Sequence, residues 1–501
     1  MNTRVKKILL LLLAVALLFG SGRVQKSMNG DRARLGLTHA ATLENAPPML
    51  AFTTVALGGF RGLISNYLWI RSNNLQVDDK YFEAAQLANW ITDLEPHFTP
   101  VWLFQAWNMA YNISIKFKDF SDRWRWVERG IDLLRDDGLR YNPDDVLMYR
   151  ELAWFYQHKM GQNLDDANVY YKQEWAREMT PFFGPEGTNF SELLQPQSTN
   201  AALLREKYKI DPVFAEKVNT RYGPLDWRLP EAHAIYWGAL GLEKARENPD
   251  QVKEGDLINL RRIIYQSMLQ AFHHGRILTD PFTRTYALGP NLDLIPKVNE
   301  TYETQMQEDQ TNREYIAIGY RNFLRDAVYF LYENNRVAEA AKWYRLLSQK
   351  YPDKPILDND STSLPRTLTL DEYAVARVQS EIGDLSQERT TAVVEGMLAR
   401  AYYELALGHD ERYAGFKLLA TKIYEHFTAR ISDEKSNLTR IGLPPFADLN
   451  RTVLNQLLDP QRGLPYAARA VIRSQLGMPA ETNLPPAAVS PNAATNAPAP
   501  R

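Results

Sequence analysis

Four acidic pairs, Asp78-Asp79, Asp136-Asp137, Asp144-Asp145 and Asp165-Asp166, are the first residues in this chain that could do acid–base chemistry. Each lies at the start or end of an apolar-periodic segment. A carboxylate placed there caps free backbone N–H groups and meets the positive end of a helix dipole. Capping is therefore the expectation, with Asp136-Asp137 fitting it least. His273-His274 is the one adjacent histidine pair. Neighbouring side chains on a helix diverge by about 100°, so the two cannot easily chelate one metal ion. Asp358–Thr362 (DNDST) is spaced like the start of a calcium loop, but it lacks the glycine and the closing glutamate and reads as a turn. No H-E-x-x-H, G-x-S-x-G, phosphate loop or dinucleotide fingerprint is present. With no cysteine, disulfides, thiolate metal sites and thiol catalysis are absent together. The reading is non-enzymatic, with no catalytic residue, cofactor or metal ligand assigned.

Charge excludes another class. The first 28 residues hold five Lys/Arg and no acid, and without them the balance is 53 basic against 60 acidic residues. A mildly acidic body lacks the basic face that a nucleic-acid binder needs. The start itself, with Arg4, Lys6 and Lys7 before an apolar run from Ile8 to Gly20, matches a signal-peptide core and is short of a bilayer span. Cleaved signal and uncleaved membrane anchor both fit. Either places the protein in a bacterial cell envelope, exported or periplasmic, with membrane contact if the segment stays uncleaved.

Amphipathic helical hairpins follow. Segments 81–94, 101–113, 122–135, 146–160 and 165–178 set apolar residues at i, i+3, i+4 and i+7, separated by Pro- and Gly-containing breakers. A second apolar stretch, Ala46–Ile70, is interrupted by Gly58-Gly59 and Arg61, and is read as leading into a buried first helix from near Phe60 to Leu75. Density in Pro and Gly marks 181–228 as an irregular insertion with one short helix, Ala202–Lys209. Helices resume at 229–247 and 256–272, and 279–299 reads as loop.

Counting from Val146, the residues Tyr149, Leu152, Ala153 and Tyr156 fall on the large and small apolar places of a 34-residue helix pair. Counting from Arg321, Ala340, Tyr344, Leu347 and Pro352 do the same for its second half. On these residues the chain resembles the tetratricopeptide-repeat superfamily, over about 80–178 and 314–355, and envelope proteins of that type. Pro96 and Pro143 stand 47 apart rather than 34, so the array would be irregular. The resemblance implies an all-α solenoid with a concave groove lined from the first helix of each pair. Carried onto this chain, that groove holds Leu147, Arg150, Trp154, Gln157 and His158 in one unit and Asn322, Arg325, Tyr329, Tyr332 and Glu333 in another, with Leu103, Trp107 and Tyr111 on the same path. Arg beside an aromatic face suits a peptide of acidic or C-terminal carboxylate character, although the Lys and Asn of the family's carboxylate clamp are missing. The competing reading of Trp107 and Trp154 is plain core.

The expected organisation is a signal or anchor (1–27), a tether (28–60), N-terminal repeats (61–180), the insertion (181–228), a helical pair with a loop (229–313), C-terminal repeats with capping helices (314–477) and a Pro/Ala/Asn-rich disordered tail (478–501). The expected function is a scaffold that binds a protein or peptide partner. The alternative is a glycan-binding or glycan-active protein with a pocket built on the helical frame. Geometry separates them. Arg150 and Arg325 facing into a continuous groove favour protein. A pocket with two carboxylates and aromatic walls, near 181–228 or 279–299, favours sugar.

Overall fold

The computed structural model describes residues 60–249, 252–279, 286–358, 360–382, 387–432 and 443–481, with scattered residues between 13 and 31. The signal or anchor and the tail thus fall almost wholly outside the described residues. Helix makes up 74% and strand 2%, so the fold is all-α. No helix among the described residues is long and apolar enough to cross a membrane. The chain divides into two units, Met1–Gln105 and Ala106–Arg501, each with its own packing.

In the first unit, α1 (Phe60–Val77) packs on α2 (Tyr81–Leu94). Ala88, Ile91 and Val101 form its core, with Leu68 and Trp69 laid against them. The helix from Phe60 is present as expected, but it is not buried. Among the residues of α1 whose side chains are described, Ser65 and Ser72 alone are enclosed, and Leu63, Tyr67 and Ile70 face solvent. The sequence window is apolar on both sides of α1, and one partner helix can cover only one of them.

The second unit starts inside α3 (Thr99–Trp107) and continues through α4 (Phe120–Asp132), α5 (Val146–Trp154) and α6 (Asn168–Phe183). Each of α3, α4 and α5 runs on into a turn closed by an i→i+5 bond: Ser114 N to Met109 O, Leu139 N to Leu134 O, and Gly161 N to Tyr156 O. Such wide turns insert a residue into the helical spiral and re-phase the side chains beyond it. The expected apolar face of α5 holds: Tyr149, Leu152, Ala153 and Tyr156 are all buried.

Residues 181–228 differ from expectation. They carry two helices, α7 (Thr199–Tyr208), capped by Ser198 on Ala201 N, and α8 (Pro212–Tyr222), capped by Asp211 on Val213 N. They also complete an aromatic core. Trp227, fully buried, stacks on Phe183 at 5.3 Å and meets Phe190 edge-on at 5.5 Å. Buried His233 stands 4.9 Å from Trp175, its Nε2 bonded to Trp227 O at 2.9 Å. Burial pulls the His233 pKa down to about 4, so the ring is neutral and Nε2–H donates.

Three further hairpins follow: α9 (Pro230–Glu247) with α10 (Glu254–His274), α12 (Arg313–Glu333) with α13 (Val337–Lys350), and α15 (Gln387–Ala406) with α16 (Asp410–Ser432). Two of them close on a left-handed residue, Asn335 or Gly408. The next N–H then returns five residues back, Arg336 to Leu331 O and His409 to Glu404 O. Between the first two hairpins, where loop was expected, Arg276–Thr279 pairs antiparallel with Tyr286–Gly289, and α11 (Ile295–Glu308) follows. Helices α14 (Leu370–Ile382), α17 (Phe446–Leu457) and α18 (Tyr466–Gln475) complete the described elements.

Gly187 holds the 181–228 segment to its core. Its φ is +71°, its carbonyl accepts Trp227 N at 2.8 Å, and a Cβ there would stand 1.9 Å from Asp226 Oδ1. Replacing it with alanine adds both backbone strain and overlap. Gly187→Ala is expected to lower stability by at least about 2 kcal/mol, measured by urea unfolding followed through tryptophan emission. An unchanged midpoint would show that the Asp226 side chain moves aside freely.

Candidate functional site

Two helix ends build the site. Trp107 closes α3, and Tyr111 follows one turn later in its wide turn; Trp154 closes α5, and His158 follows in the next wide turn. Their rings form a ladder. Trp107 stacks on Tyr111 at 5.4 Å, Tyr111 lies 5.8 Å from both Phe155 and His158, and His158 stacks on Trp154 at 4.4 Å. Trp107 stays 38% exposed, which a core tryptophan would not be.

A hydrogen bond joins the two halves of the ladder. The Tyr111 hydroxyl and His158 Nδ1 are hydrogen-bonded at 3.0 Å. Burial, then the charge of Lys159, holds the His158 pKa below its ordinary value. Burial, then the charge of Glu151, raises that of the Tyr111 phenol.

Beside the ladder is a cavity of about 350 Å³ lined by Tyr111, Ile115, Arg123, His158, Lys159, Leu164, Asp165 and Asp166. Its floor is a charge-compensated network. Asp165 Oδ2 accepts Lys159 Nζ at 2.6 Å and the Tyr171 hydroxyl at 3.0 Å; Oδ1 accepts Arg123 Nη1 at 3.2 Å and Ala167 N at 2.9 Å. Burial alone would raise the Asp165 pKa. The bonds from Lys159, Ala167 and Tyr171 outweigh it and bring the value to about 2. For Lys159 the balance falls the other way. Burial lowers its pKa despite the bond to Asp165, since one carboxylate must serve several donors. Its Nζ also lies 5.0 Å over the Tyr111 ring and 5.8 Å over Tyr171. Arg123 reaches Asp166 as well, and Asp166 and Leu164 stand exposed at the rim. Among the described residues, Arg123 Nη2, His158 Nε2 and Asp166 Oδ2 make no hydrogen bond, so a guanidinium donor, a carboxylate acceptor and an imidazole nitrogen remain for a ligand.

The expected groove residues part company here. Trp107, Tyr111 and Trp154 come together, with His158. Gln157 does not line the site: it is fully buried and donates to Gln266 Oε1 of α10 at 2.9 Å. The wide turn beyond Trp154 rotates it inward. Arg150 is held by Asp256 at 3.3 Å and Glu151 at 3.9 Å. Leu103 belongs to the first unit and is half-buried. On α12, Asn322 is exposed, while Arg325, Tyr329 and Tyr332 are buried. Arg325 is ion-paired with Asp358 at 2.7 Å, and the Tyr332 hydroxyl bonds to Asp371 and Lys422. Arg150 and Arg325 are thus joined to their own neighbours.

Sequence reasoning missed Arg123, Lys159 and Tyr171 and took Asp165 for a cap. Asp165 does cap Ala167 N, but it is also the hub. The signal was Lys159 between the apolar positions Tyr156 and Met160, since a lysine on a buried face requires a buried acid. The other candidates stay structural. Asp145 caps Leu147 N, Asp136 pairs with Arg135, and Asp360 accepts the backbone and hydroxyl of Thr362 in a turn. His273 stands 3.7 Å from Asp326. No group of three or more His, Asp or Glu that could hold a metal occurs among the described residues. Glu128, raised to about 7 by burial and then by Glu178 and Asp132, borders a cavity of only about 40 Å³, too small for a substrate. No protein-family model, curated protein or solved structure matches the chain.

Since Asp165 is held ionised, its contribution to stability is full above about pH 4 and is lost as pH falls toward 2. Asp165→Asn is expected to cost on the order of 3 kcal/mol at pH 7. The gap to the wild type should narrow over that acid window in urea melts run at stepped pH. A gap that stays constant would mean that the four bonds do not depend on the charge.

Proposed function

We propose that this chain is a non-catalytic, irregular tetratricopeptide-like helical-repeat protein of the cell envelope that binds a neutral saccharide at the ladder and its cavity. The observation that carries the reading is the pairing of aromatic lining from Tyr111 and His158, against which Trp107 and Trp154 stack, with a compensated polar floor of Arg123, Lys159, Asp165 and Asp166. Sugar rings offer a C–H face for stacking and hydroxyls that both donate and accept. Asp166 Oδ2, Arg123 Nη2 and His158 Nε2 match that mixture. The cavity has the two carboxylates and aromatic wall that favour sugar, although at 111–166 rather than near 181–228 or 279–299. Its volume lies at the small end of ligand pockets, suiting one or two sugar units.

Binding rather than cleavage fits the electrostatics. Glycoside hydrolysis needs a carboxylic acid that holds its proton near neutral pH, opposite a second carboxylate. Asp165 is pinned in its charged form and fully engaged, and its partner Asp166 stands exposed at the rim. The hairpins support the helical-repeat reading, and the signal-like start supports the envelope location. A protein or peptide partner is the second reading, favoured by the exposed face of Trp107; the arginines that would anchor an acidic peptide hold Asp256 and Asp358 instead.

The test is a titration with neutral oligosaccharides built on glucose, galactose or N-acetylglucosamine, followed by tryptophan emission and calorimetry. At least one series should saturate. Trp107→Ala and Asp166→Ala should each weaken it by about tenfold or more, or 1.4 kcal/mol, while Arg150→Ala leaves it unchanged. No saturable binding at millimolar sugar, with retained binding of an extended peptide that depends on Trp107, would overturn the saccharide reading in favour of the second.

A further inference from the structure

Among the described residues, the outward face of α1 is an unpartnered seam with a regular spacing. Leu63, Tyr67, Ile70, Asn74 and Val77 follow one another at steps of four, three, four and three. The four apolar members are 64%, 64%, 60% and 85% exposed, and Asn74 is exposed too. The opposite face of α1 is occupied by α2, where Ser72 Oγ bonds Ala84 O at 3.2 Å. Alternating steps of four and three are the a/d pattern by which one helix pairs lengthwise with another, and a lone Asn at an a position fixes register and pair number.

From this spacing we infer that α1 pairs in parallel with α1 of a second copy of the chain. In that register Asn74 meets its own counterpart, and the two amides bond each other. A lipid surface would leave Asn74 unsatisfied on its apolar side, and Asn66 and Asn73 flank the same face. Charge selects the direction. Arg71 is the charged residue beside the centre of the seam. An antiparallel pair centred on Ile70 brings the two Arg71 side chains together across the middle. A parallel pair keeps them on opposite sides, each facing Asn66 of the other copy, with Asp78 facing Asn73. Five exposed side chains from each copy bury on the order of 1,000 Å² in all, at the weak end of specific interfaces. The pairing therefore belongs to micromolar concentrations or to a membrane-tethered pair. α1 does not depend on its twin for its own helicity, because α2 already holds it.

The chain has no cysteine, so single introduced thiols report the contact in the full-length protein. Leu63→Cys, Ile70→Cys and Val77→Cys should each oxidise to a covalent dimer. Gln86→Cys, exposed on α2, should crosslink at least tenfold more slowly, and Ile70→Lys should shift sedimentation of the otherwise native chain from dimer to monomer. Crosslinking of Leu63→Cys only to Val77→Cys in a mixture would overturn the parallel register. A monomer whose Ile70→Cys thiol is shielded from a maleimide would show that another part of the same chain covers the seam, and a monomer with a reactive thiol would show that nothing does. Either result overturns the inference.

Discussion

The carboxylate of Asp165 is the constraint on which the site depends. It draws donors from three elements: Arg123 of α4, Lys159 of the turn after α5, and Tyr171 of α6. Lys159 and Tyr171 are buried and rely on it, while Arg123 also bonds Phe117 O and Asp166. A lysine that keeps only a few per cent of its surface has to be paired, and removing one member of such a set leaves the others as uncompensated charge. The same bonds fix the distance between α4, α5 and α6, and the cavity is the space left between those helix ends and the aromatic ladder.

That arrangement explains why the site looks polar and yet carries no surplus charge. Two cations and two carboxylates line the cavity, and the histidine between them is kept neutral by burial and by the lysine next to it. The ring ladder is equally constrained. Trp107 stacks on Tyr111, the Tyr111 hydroxyl is bonded to His158 Nδ1, and His158 stacks on Trp154, so each ring sets the orientation of the next.

What the sequence disclosed was local. Tyr149, Leu152, Ala153 and Tyr156 lie on one face at helical spacing, and they are buried. Trp107, Tyr111 and Trp154 are each one helical turn from their site neighbour, and they do meet. What it concealed was either a change of phase or a distant partner. Gln157 turned inward because an i→i+5 turn intervenes, and no residue in Phe155–Met160 announces that turn. Arg325 looked available because its acid, Asp358, lies on a loop 33 residues on. The stretch 181–228 looked irregular because its Gly and Pro punctuate a tight path. Their necessity appears only when Gly187, Asp226 and Trp227 are brought together, although Asp211-Pro212 was a legible helix start. α1 was apolar enough to read as core. The sequence shows hydrophobic faces, but not how many partners are present to cover them.

The internal compensation of the cavity bears on the medium in which the protein works. Recognition that relies on a bare Arg or Lys weakens as ions screen it, over a Debye length of roughly 8 Å at physiological ionic strength. Here the charges have already found their counter-ions within the protein wall, some 3 Å away. A neutral ligand would neither bring nor displace charge. The polarity of the cavity floor is thus set inside the protein wall and is little altered by large changes of salinity.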